Sequence, residues 1–475
     1  IGKFGGDTDN WIWPRHTGDF SMFRVYASKD NRPAAYSPQN VPYRPKKHFS
    51  ISTKGVKEGD FTMIYGFPGN TQEYILSDAV AYIAERSDPA KIAIRTGRLD
   101  IITKAQESDP ALRIHYAAKH ASIANAWKKW QGEALGIDRR GTVAAKFDYE
   151  TQFGLWSVGR PEYAGVVMGL RAEYDRIMDA YFAYEITRET LSTLPAAYTP
   201  EERAEECFAR RKFAEQALWR HAFREYGRCP KVYRTPSYAE GMARYKSPEA
   251  YADALFEAVW EGSDSVAMQP AVRLREETKR MLDHISWMLG TKSLRNLNSK
   301  ILNELYTTYI KGLREWDRER AFYPDANLTL RVAYGSVAGY EYADGEYHKP
   351  QTTLDGIIAK DNPEIYDYDI PQSLRDLYAS KNYGRWGTVI DGRRTVPVCF
   401  LATNHTTGGN SGSPVLNAGG ELIGINFDRT WRSTMSDIAF DPAICRNIAV
   451  DIRYVLFVVD RVGGAGYLLK EMTLK

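Results

Sequence analysis

The chain has 475 residues, 13% of them aromatic, and its 63 lysines and arginines nearly balance its 60 aspartates and glutamates. This length predicts more than one domain, and the near-neutral charge disfavours nucleic acid or an anionic membrane surface as a partner. No apolar run is long enough to span a bilayer. The cysteines form no CxxC motif, which disfavours a zinc ribbon. No other metal site and no cofactor is predicted. The pairing of the cysteines into disulfides stays open: Cys207, Cys229, Cys399 and Cys445.

Residues 1–75 are rich in glycine, proline and aromatic side chains. Short β-type runs occur at residues 20–26, 49–52 and 61–66, and a turn cluster follows at residues 66–70. Runs of this kind between turn residues predict strands, so this zone is expected to form part of a β-domain.

Residues 76–325 change to a helical composition. The spacing of apolar residues predicts amphipathic helices at residues 172–182 and 201–225. Thr199-Pro200 and Ser247-Pro248 are typical helix starts, because a hydroxyl side chain can cap the first turn and proline fits the first helical position.

The β pattern returns in residues 326–475, with runs at 328–334 and 396–403. The β, α, β order predicts an α+β protein in which a large helical domain is inserted within or between β-barrels. Three independent domains are the alternative interpretation.

Residues 406–414 read Thr-Thr-Gly-Gly-Asn-Ser-Gly-Ser-Pro, between two β-type runs. The second run, at residues 414–416, is followed by Gly419-Gly420, which is typical of a strand entering a hairpin. This pattern favours the nucleophile loop of a chymotrypsin-like serine hydrolase over a plain surface loop. Gly409 allows a tight turn that would present the Ser411 hydroxyl outward. The N–H groups of Gly409 and Ser411 would then point to one position and form an oxyanion hole.

A serine nucleophile needs a base and a carboxylate that orients it, in the chain order His, Asp, Ser for this fold. Asp19, at a glycine turn before residues 20–26, fits the carboxylate better than its rivals Asp7 and Asp9. Only His16 precedes Asp19, and it is interpreted as a structural histidine. His405, near Ser411, is interpreted as part of the loop scaffold. We therefore expect this chain to lack the N-terminal part of the first barrel, with the catalytic histidine.

In this fold the segment returning after the nucleophile lines the substrate pocket, here residues 424–431. Arg429 would place a cation there, which suits an acidic substrate side chain. The alternative is an exposed arginine paired with Asp437 or another surface acid. Asp428 could bind a substrate cation or cap a turn.

Four motifs together resemble the bacterial serine dipeptidyl peptidases 7 and 11: residues 5–19, 65–69, 409–414 and 450–457. The resemblance covers the entire chain. It implies a chymotrypsin-like double β-barrel with a helical domain over the cleft, the first barrel being incomplete here. It also implies oligopeptide substrates with a free N-terminus, and a periplasmic or cell-surface location in a Gram-negative bacterium. The oligomeric state stays open, a homodimer included.

By position, the resemblance places Ser411 on the nucleophile and Asp19 on the triad aspartate. Asn10 and Trp11 fall on the pair that grips the substrate N-terminus. The other two amine-binding positions are Asn125 and Asp428.

Arg429 separates two branches of this resemblance. An arginine there marks the dipeptidyl peptidase 11 type, which prefers Asp or Glu at P1, whereas the 7 type has glycine and takes apolar side chains. Three alternatives remain open: the apolar P1 preference, a non-catalytic peptide-binding fragment without its histidine, and an endoprotease of the same clan.

Overall fold

The computed structural model describes residues 4–262, 265–290 and 297–475. The chain divides into two compact units. Ile1–Glu73 and Asp325–Lys475 form the first, called here the β unit, and Tyr74–Pro324 form the second, called the helical unit. No helix in the described ranges combines the length and the apolar character needed to cross a membrane.

In its described residues, the helical unit is built mainly from α-helices. They are α1 (Ser77–Ala81), α2 (Asp88–Ser108), α3 (Pro110–Arg139), α4 (Thr142–Ser157), α5 (Val166–Glu189), α6 (Pro200–Ala204), α7 (Lys212–Tyr226), α8 (Pro236–Tyr245), α9 (Pro248–Glu261), α10 (Ser265–Met288) and α11 (Lys300–Trp316). The predicted start at Ser247 is confirmed, because its hydroxyl accepts a hydrogen bond from the Ala250 N–H at 3.2 Å. One core cluster includes Leu99, Tyr116 and Leu218.

The single helix predicted over residues 201–225 is wrong, because α6 ends at Ala204 and α7 begins at Lys212. Between them, buried Arg211 lies 2.6 Å from the Nε2 atom of His115. Phe208 stacks on Trp260 at 4.2 Å between ring centroids. These tertiary contacts outweigh the modest local preference for a continuous helix.

Besides short 3-10 and π-helical segments, the β unit contains strands and three α-helices in its described residues. They are β1 (Tyr26–Ala27), β2 (Val41–Pro42), β3 (Phe61–Gly66), β4 (Arg331–Ser336), β5 (Tyr340–Ala343), β6 (Glu346–His348), β7 (Gln351–Thr353), α12 (Leu354–Lys360), α13 (Gln372–Ala379), β8 (Thr388–Ile390), β9 (Arg393–Thr395), β10 (Pro397–Ala402), β11 (Pro414–Leu416), β12 (Leu422–Arg429), β13 (Asn447–Asp451) and α14 (Ile452–Phe457).

The main sheet has seven antiparallel strands in the order β4-β3-β11-β12-β13-β10-β7. All six residues of β10 are buried, as expected for an inner strand covered on both faces. Val398, Ile448 and Tyr454 belong to the large apolar cluster beside it. The predicted hairpin after the nucleophile loop is confirmed as β11 and β12.

The mixture of helices and sheet is as predicted, but the sheets are not closed into barrels. One isolated antiparallel bridge, between Val337 and Ala402, joins the region after β4 to β10. The double β-barrel therefore stays a prediction. The expected strand at residues 20–26 is wrong except at its last residue, Tyr26, where β1 begins. Before it, the side chains of Phe23 and Val25 are exposed.

The four cysteines are buried as free thiols, so none of the disulfides that the sequence left open is formed.

Candidate active site

Two buried amide side chains hold the loop of residues 406–413. The Oδ1 atom of Asn410 accepts a hydrogen bond from the Thr407 N–H at 3.2 Å. From β12, the Asn426 side chain donates to the Asn410 backbone carbonyl at 3.2 Å, and the backbone carbonyl of Asn426 accepts from the Gly412 N–H at 2.7 Å. Asn447 of β13 in turn donates to the Asn426 side chain at 2.9 Å. These uncharged contacts fix the loop to the inner sheet.

Gly409 is required by the shape of this loop. Its φ of +107° lies in a region that residues with a Cβ rarely adopt, and an added Cβ would overlap the carbonyl oxygen of Phe67. The Gly69 N–H donates to the Gly408 carbonyl at 2.6 Å. The predicted turn at residues 66–70 thus packs directly on the nucleophile loop.

Ser411 is exposed at the tip of this turn. Its Oγ donates to the carbonyl of Phe427 at 3.3 Å. Within the described parts of the chain, the backbone N–H groups of Gly409 and Ser411 donate no hydrogen bond. A hydroxyl beside two available amides can, chemically, attack a carbonyl and stabilise the oxyanion that forms.

No histidine in the described ranges contacts the Ser411 hydroxyl. The His405 ring stacks on Phe440, with Nε2 3.0 Å from the carbonyl oxygen of Ser436 and Nδ1 3.2 Å from Glu73. Burial lowers the pKa of His405.

His16 is buried against α12, so closely that a Cβ added at Gly356 of that helix would overlap the His16 ring. Burial, with a smaller contribution from the Lys360 ammonium, lowers the pKa of His16 from 6.5 to about 4. Both histidines are therefore mainly uncharged near neutral pH.

Asp19 is exposed and lies outside any strand. It follows Gly18, which packs so closely on Tyr454 that a Cβ would overlap the ring. The rival Asp9 is buried and engaged, since its carboxylate accepts from Lys360 at 2.8 Å and from the Tyr368 hydroxyl at 2.9 Å.

The structure brings Trp11 and Asp428 together. The backbone N–H of Trp11 donates to Oδ2 of Asp428 at 3.1 Å. The backbone carbonyl of Trp11 accepts from the backbone N–H of Trp431 at 2.6 Å. Trp11 has a φ of +68°, a strained conformation for an aromatic residue that often marks a functional segment. Asn10 adjoins it in the same turn, where its N–H donates to the Asp7 carbonyl at 3.2 Å.

Arg15 is a site residue that the sequence analysis missed. Its guanidinium lies 2.9 Å from Oδ2 of Asp428, and both side chains are buried. The positive charge compensates the carboxylate and fixes its position. A buried arginine cannot be told from a surface arginine by residue type, so only its place within the first motif pointed to it.

Arg429 is buried and faces Asp437 through both arms of its guanidinium, at 2.7 and 2.8 Å. The same group also donates to the Ser436 hydroxyl at 2.7 Å and to the Thr406 carbonyl at 3.1 Å. Its charge lies 5.6 Å from the centre of the Trp11 ring. The pairing with Asp437 considered above is present, but on a buried arginine.

Asn125 lies in the helical unit, on α3. Its side chain is exposed, whereas the preceding Ile123 and Ala124 are buried in the unit's core. Its proposed role therefore depends on the family resemblance.

One group of side chains in the described residues has the composition of a metal site. The ligand atoms of His115, Glu205 and Cys207 lie within 4.8 Å of one another. Arg211 already places a cation 2.6 Å from His115 and 3.1 Å from Glu205, which disfavours a metal ion there.

Comparisons with known proteins agree over the whole length of the chain. The model of the family Peptidase S46 matches residues 1–206 and 201–474. An Asp/Glu-specific dipeptidyl-peptidase of Capnocytophaga gingivalis is 41% identical over 520 residues, covering 100% of this chain and 72% of the relative. Dipeptidyl-peptidase 7 of Phocaeicola vulgatus is 34% identical over 515 residues, covering 100% of this chain and 71% of the relative.

Among solved structures, DPP11 of Porphyromonas endodontalis in complex with the dipeptide Arg-Glu matches with a TM-score of 0.84 and 33% identity. The match covers 100% of this chain and 73% of that chain. The family model and these relatives lead to one conclusion: the chain belongs to the peptidase S46 family.

Proposed function

We propose that the protein is a serine dipeptidyl peptidase that releases dipeptides from the free N-terminus of oligopeptides and prefers Asp or Glu at P1. The observation that carries this proposal is the position of Ser411 next to strand β12, which itself supplies Asp428 and Arg429. Relatives named Asp/Glu-specific dipeptidyl-peptidase, up to 42% identical, support the acidic preference.

In the proposed reaction, Ser411 attacks the carbonyl of the second residue. The oxyanion is stabilised by the N–H groups of Gly409 and Ser411. Asp19 orients the base that accepts the Ser411 proton. No histidine in the described residues is assigned as this base. The peptide bond after the second residue then breaks, and the amine of the shortened peptide leaves with the proton that the base took from Ser411. Water hydrolyses the resulting acyl-enzyme, which frees the dipeptide and the Ser411 hydroxyl.

The substrate ammonium is proposed to bind Asn10, Trp11 and Asp428 of the β unit. An amine-binding role for Asn125, in the helical unit, is implied by the family resemblance alone. An ammonium group has three donors and needs acceptors together with an anion, which amide oxygens and one carboxylate provide. A fixed ammonium site limits the length of chain that reaches Ser411, which explains release of two residues at a time.

Arg429 is proposed to recognise the P1 carboxylate. A buried guanidinium binds a carboxylate with two parallel hydrogen bonds and rejects uncharged side chains. Its several hydrogen-bond acceptors keep it at a fixed position in the pocket.

Three broader features are proposed on the family resemblance. The β unit would correspond to a chymotrypsin-like double β-barrel, for which the isolated bridge between Val337 and Ala402 is one supporting contact. The other two are assembly as a homodimer and a location in the periplasm or at the cell surface.

The test is an assay of dipeptide release from peptides with Asp, Glu, Leu or Lys at the second position, together with N-acetylated versions. Release confined to free peptides with Asp or Glu supports the proposal. Cleavage after Leu would favour the apolar P1 type, and cleavage of acetylated peptides would favour an endoprotease. No cleavage, with Ser411 unlabelled by a fluorophosphonate, would favour a peptide-binding module.

A further inference from the structure

Asp437 holds Arg429 in the way that a substrate carboxylate would. Both oxygens of Asp437 face both arms of the guanidinium, at 2.7 and 2.8 Å. This two-point geometry is the strongest that arginine forms with a carboxylate. The contact is buried, so solvent screens it little.

The backbone around Asp437 fixes this placement. Asp437 ends the 3-10 helix Trp431–Asp437, and its carbonyl accepts from the Gln72 N–H at 2.6 Å. Its carboxylate is therefore a standing part of the pocket that contains Arg429.

A substrate carboxylate that enters this pocket meets the Arg429–Asp437 pair, whose net charge is already close to zero. It must share the guanidinium with Asp437, and two carboxylates at one buried cation repel each other. An uncharged P1 side chain does not meet this repulsion.

We propose that Asp437 sets the strength of acidic P1 selection by competing with the substrate carboxylate for Arg429. The inference rests on the proposed role of Arg429. Asp437 acts as an internal substitute for the P1 carboxylate when the pocket is empty, and it weakens binding of acidic residues when the pocket is filled. It is a specificity-determining residue and takes no part in bond cleavage.

Arg429 has neutral contacts that remain without the Asp437 charge. The Ser436 hydroxyl and the Thr406 carbonyl both accept from the same guanidinium nitrogen. Asparagine at position 437 is similar in shape and keeps one acceptor oxygen. The change to Asn therefore removes the competing charge while Arg429 stays in position.

The experiment is isothermal titration calorimetry of the wild type and Asp437→Asn with the dipeptides Arg-Glu and Arg-Leu. We expect the variant to bind Arg-Glu about tenfold more tightly, with the affinity for Arg-Leu unchanged within about twofold. Asp391→Asn is the matched control, because Asp391 is an exposed aspartate of the same unit that pairs with Lys349 instead of Arg429. This control should leave both affinities unchanged.

Unchanged or weaker binding of Arg-Glu by a folded Asp437→Asn variant would overturn the inference. Circular dichroism checks the fold, and Asp437→Ser is the second variant if the asparagine variant does not fold. If the wild type and the variant both bind the two dipeptides equally, the acidic pocket itself is refuted. If both prefer Arg-Glu to the same degree, the pocket stands and only the role of Asp437 is refuted. The two failures are thus distinguished by the wild-type measurement.

Discussion

The candidate nucleophile loop and the proposed Arg429 pocket both adjoin strand β12, but different forces hold their residues. The loop is fixed by uncharged groups, chiefly the Asn426 side chain and backbone against residues 410–413. The pocket is fixed by charge pairs, Arg15 with Asp428 and Arg429 with Asp437.

The difference matches what each region is proposed to do. An oxyanion site needs fixed N–H directions, which amide and backbone contacts supply without any dependence on protonation. A pocket that selects charge needs a cation whose burial is made tolerable by a nearby anion. We therefore expect the loop to be sensitive to backbone geometry and the pocket to be sensitive to charge.

The largest effect is expected in the loop. Ser411→Ala should reduce dipeptide release by about 10,000-fold or more, because it removes the proposed nucleophile. Ser411 is exposed, so the melting temperature should stay within about 1 °C of the wild type. Steady-state assays and thermal unfolding measure both. Activity within tenfold of the wild type would mean that another group attacks the substrate.

The next effect belongs to the pocket. Arg429→Gly should lower kcat/KM for substrates with Asp or Glu at P1 by about 100-fold, and it should also lower stability, because Asp437 is left buried without its cation. A peptide panel and thermal unfolding test this. Adding Asp437→Asn to the same protein should restore stability and leave the acidic preference absent. A retained acidic preference in either variant would contradict the pocket assignment.

The loop should also respond to backbone geometry at two glycines. Gly409→Ala should cost about 3 kcal/mol of unfolding free energy, from a disfavoured φ and from overlap with the Phe67 carbonyl. Gly412→Ala is the matched control, since its φ is also positive, at +84°, but no atom lies within 4 Å of an added Cβ. It should cost about 1 kcal/mol. Equal losses in denaturant unfolding would show that the Phe67 contact has no role.

A smaller and pH-dependent effect is expected at His16, in the segment that carries Arg15. The folded-state pKa of about 4 lies below the ordinary 6.5, so the unfolded chain binds more protons between these values. Stability should therefore fall as the pH falls from 6.5 to about 4, by up to about 3 kcal/mol from this group. Above pH 6.5 the group contributes nothing to the pH dependence.

The variant His16→Gln, which cannot be protonated, should reduce this acid sensitivity. Unfolding free energies at pH 7 and pH 4.5 for both proteins measure the difference. If the two proteins lose the same stability on acidification, His16 does not titrate as described.

Local sequence patterns predicted much of the framework. The helix start at Ser247 and the hairpin of β11 and β12 were readable, because caps, turns and periodicity act over a few residues. Residues 201–225 and 20–26 were misread for the opposite reason. In both segments the apolar spacing suits a regular helix or strand. Side chains distant in sequence interrupt the helix expected at residues 201–225, whereas residues 20–25 lack a partner strand in the described structure.

For the candidate site, the sequence by itself determined the glycine turn at Gly409, because few other residues tolerate its backbone conformation. It also predicts Arg429 as a pocket residue, through the position of its strand and the family resemblance. Only the tertiary structure placed Arg15 on Asp428, Asn426 under the loop and Asp437 on Arg429. Which groups pair depends on which atoms folding buries within about 3 Å of each other, and residue types along the chain do not encode that distance directly.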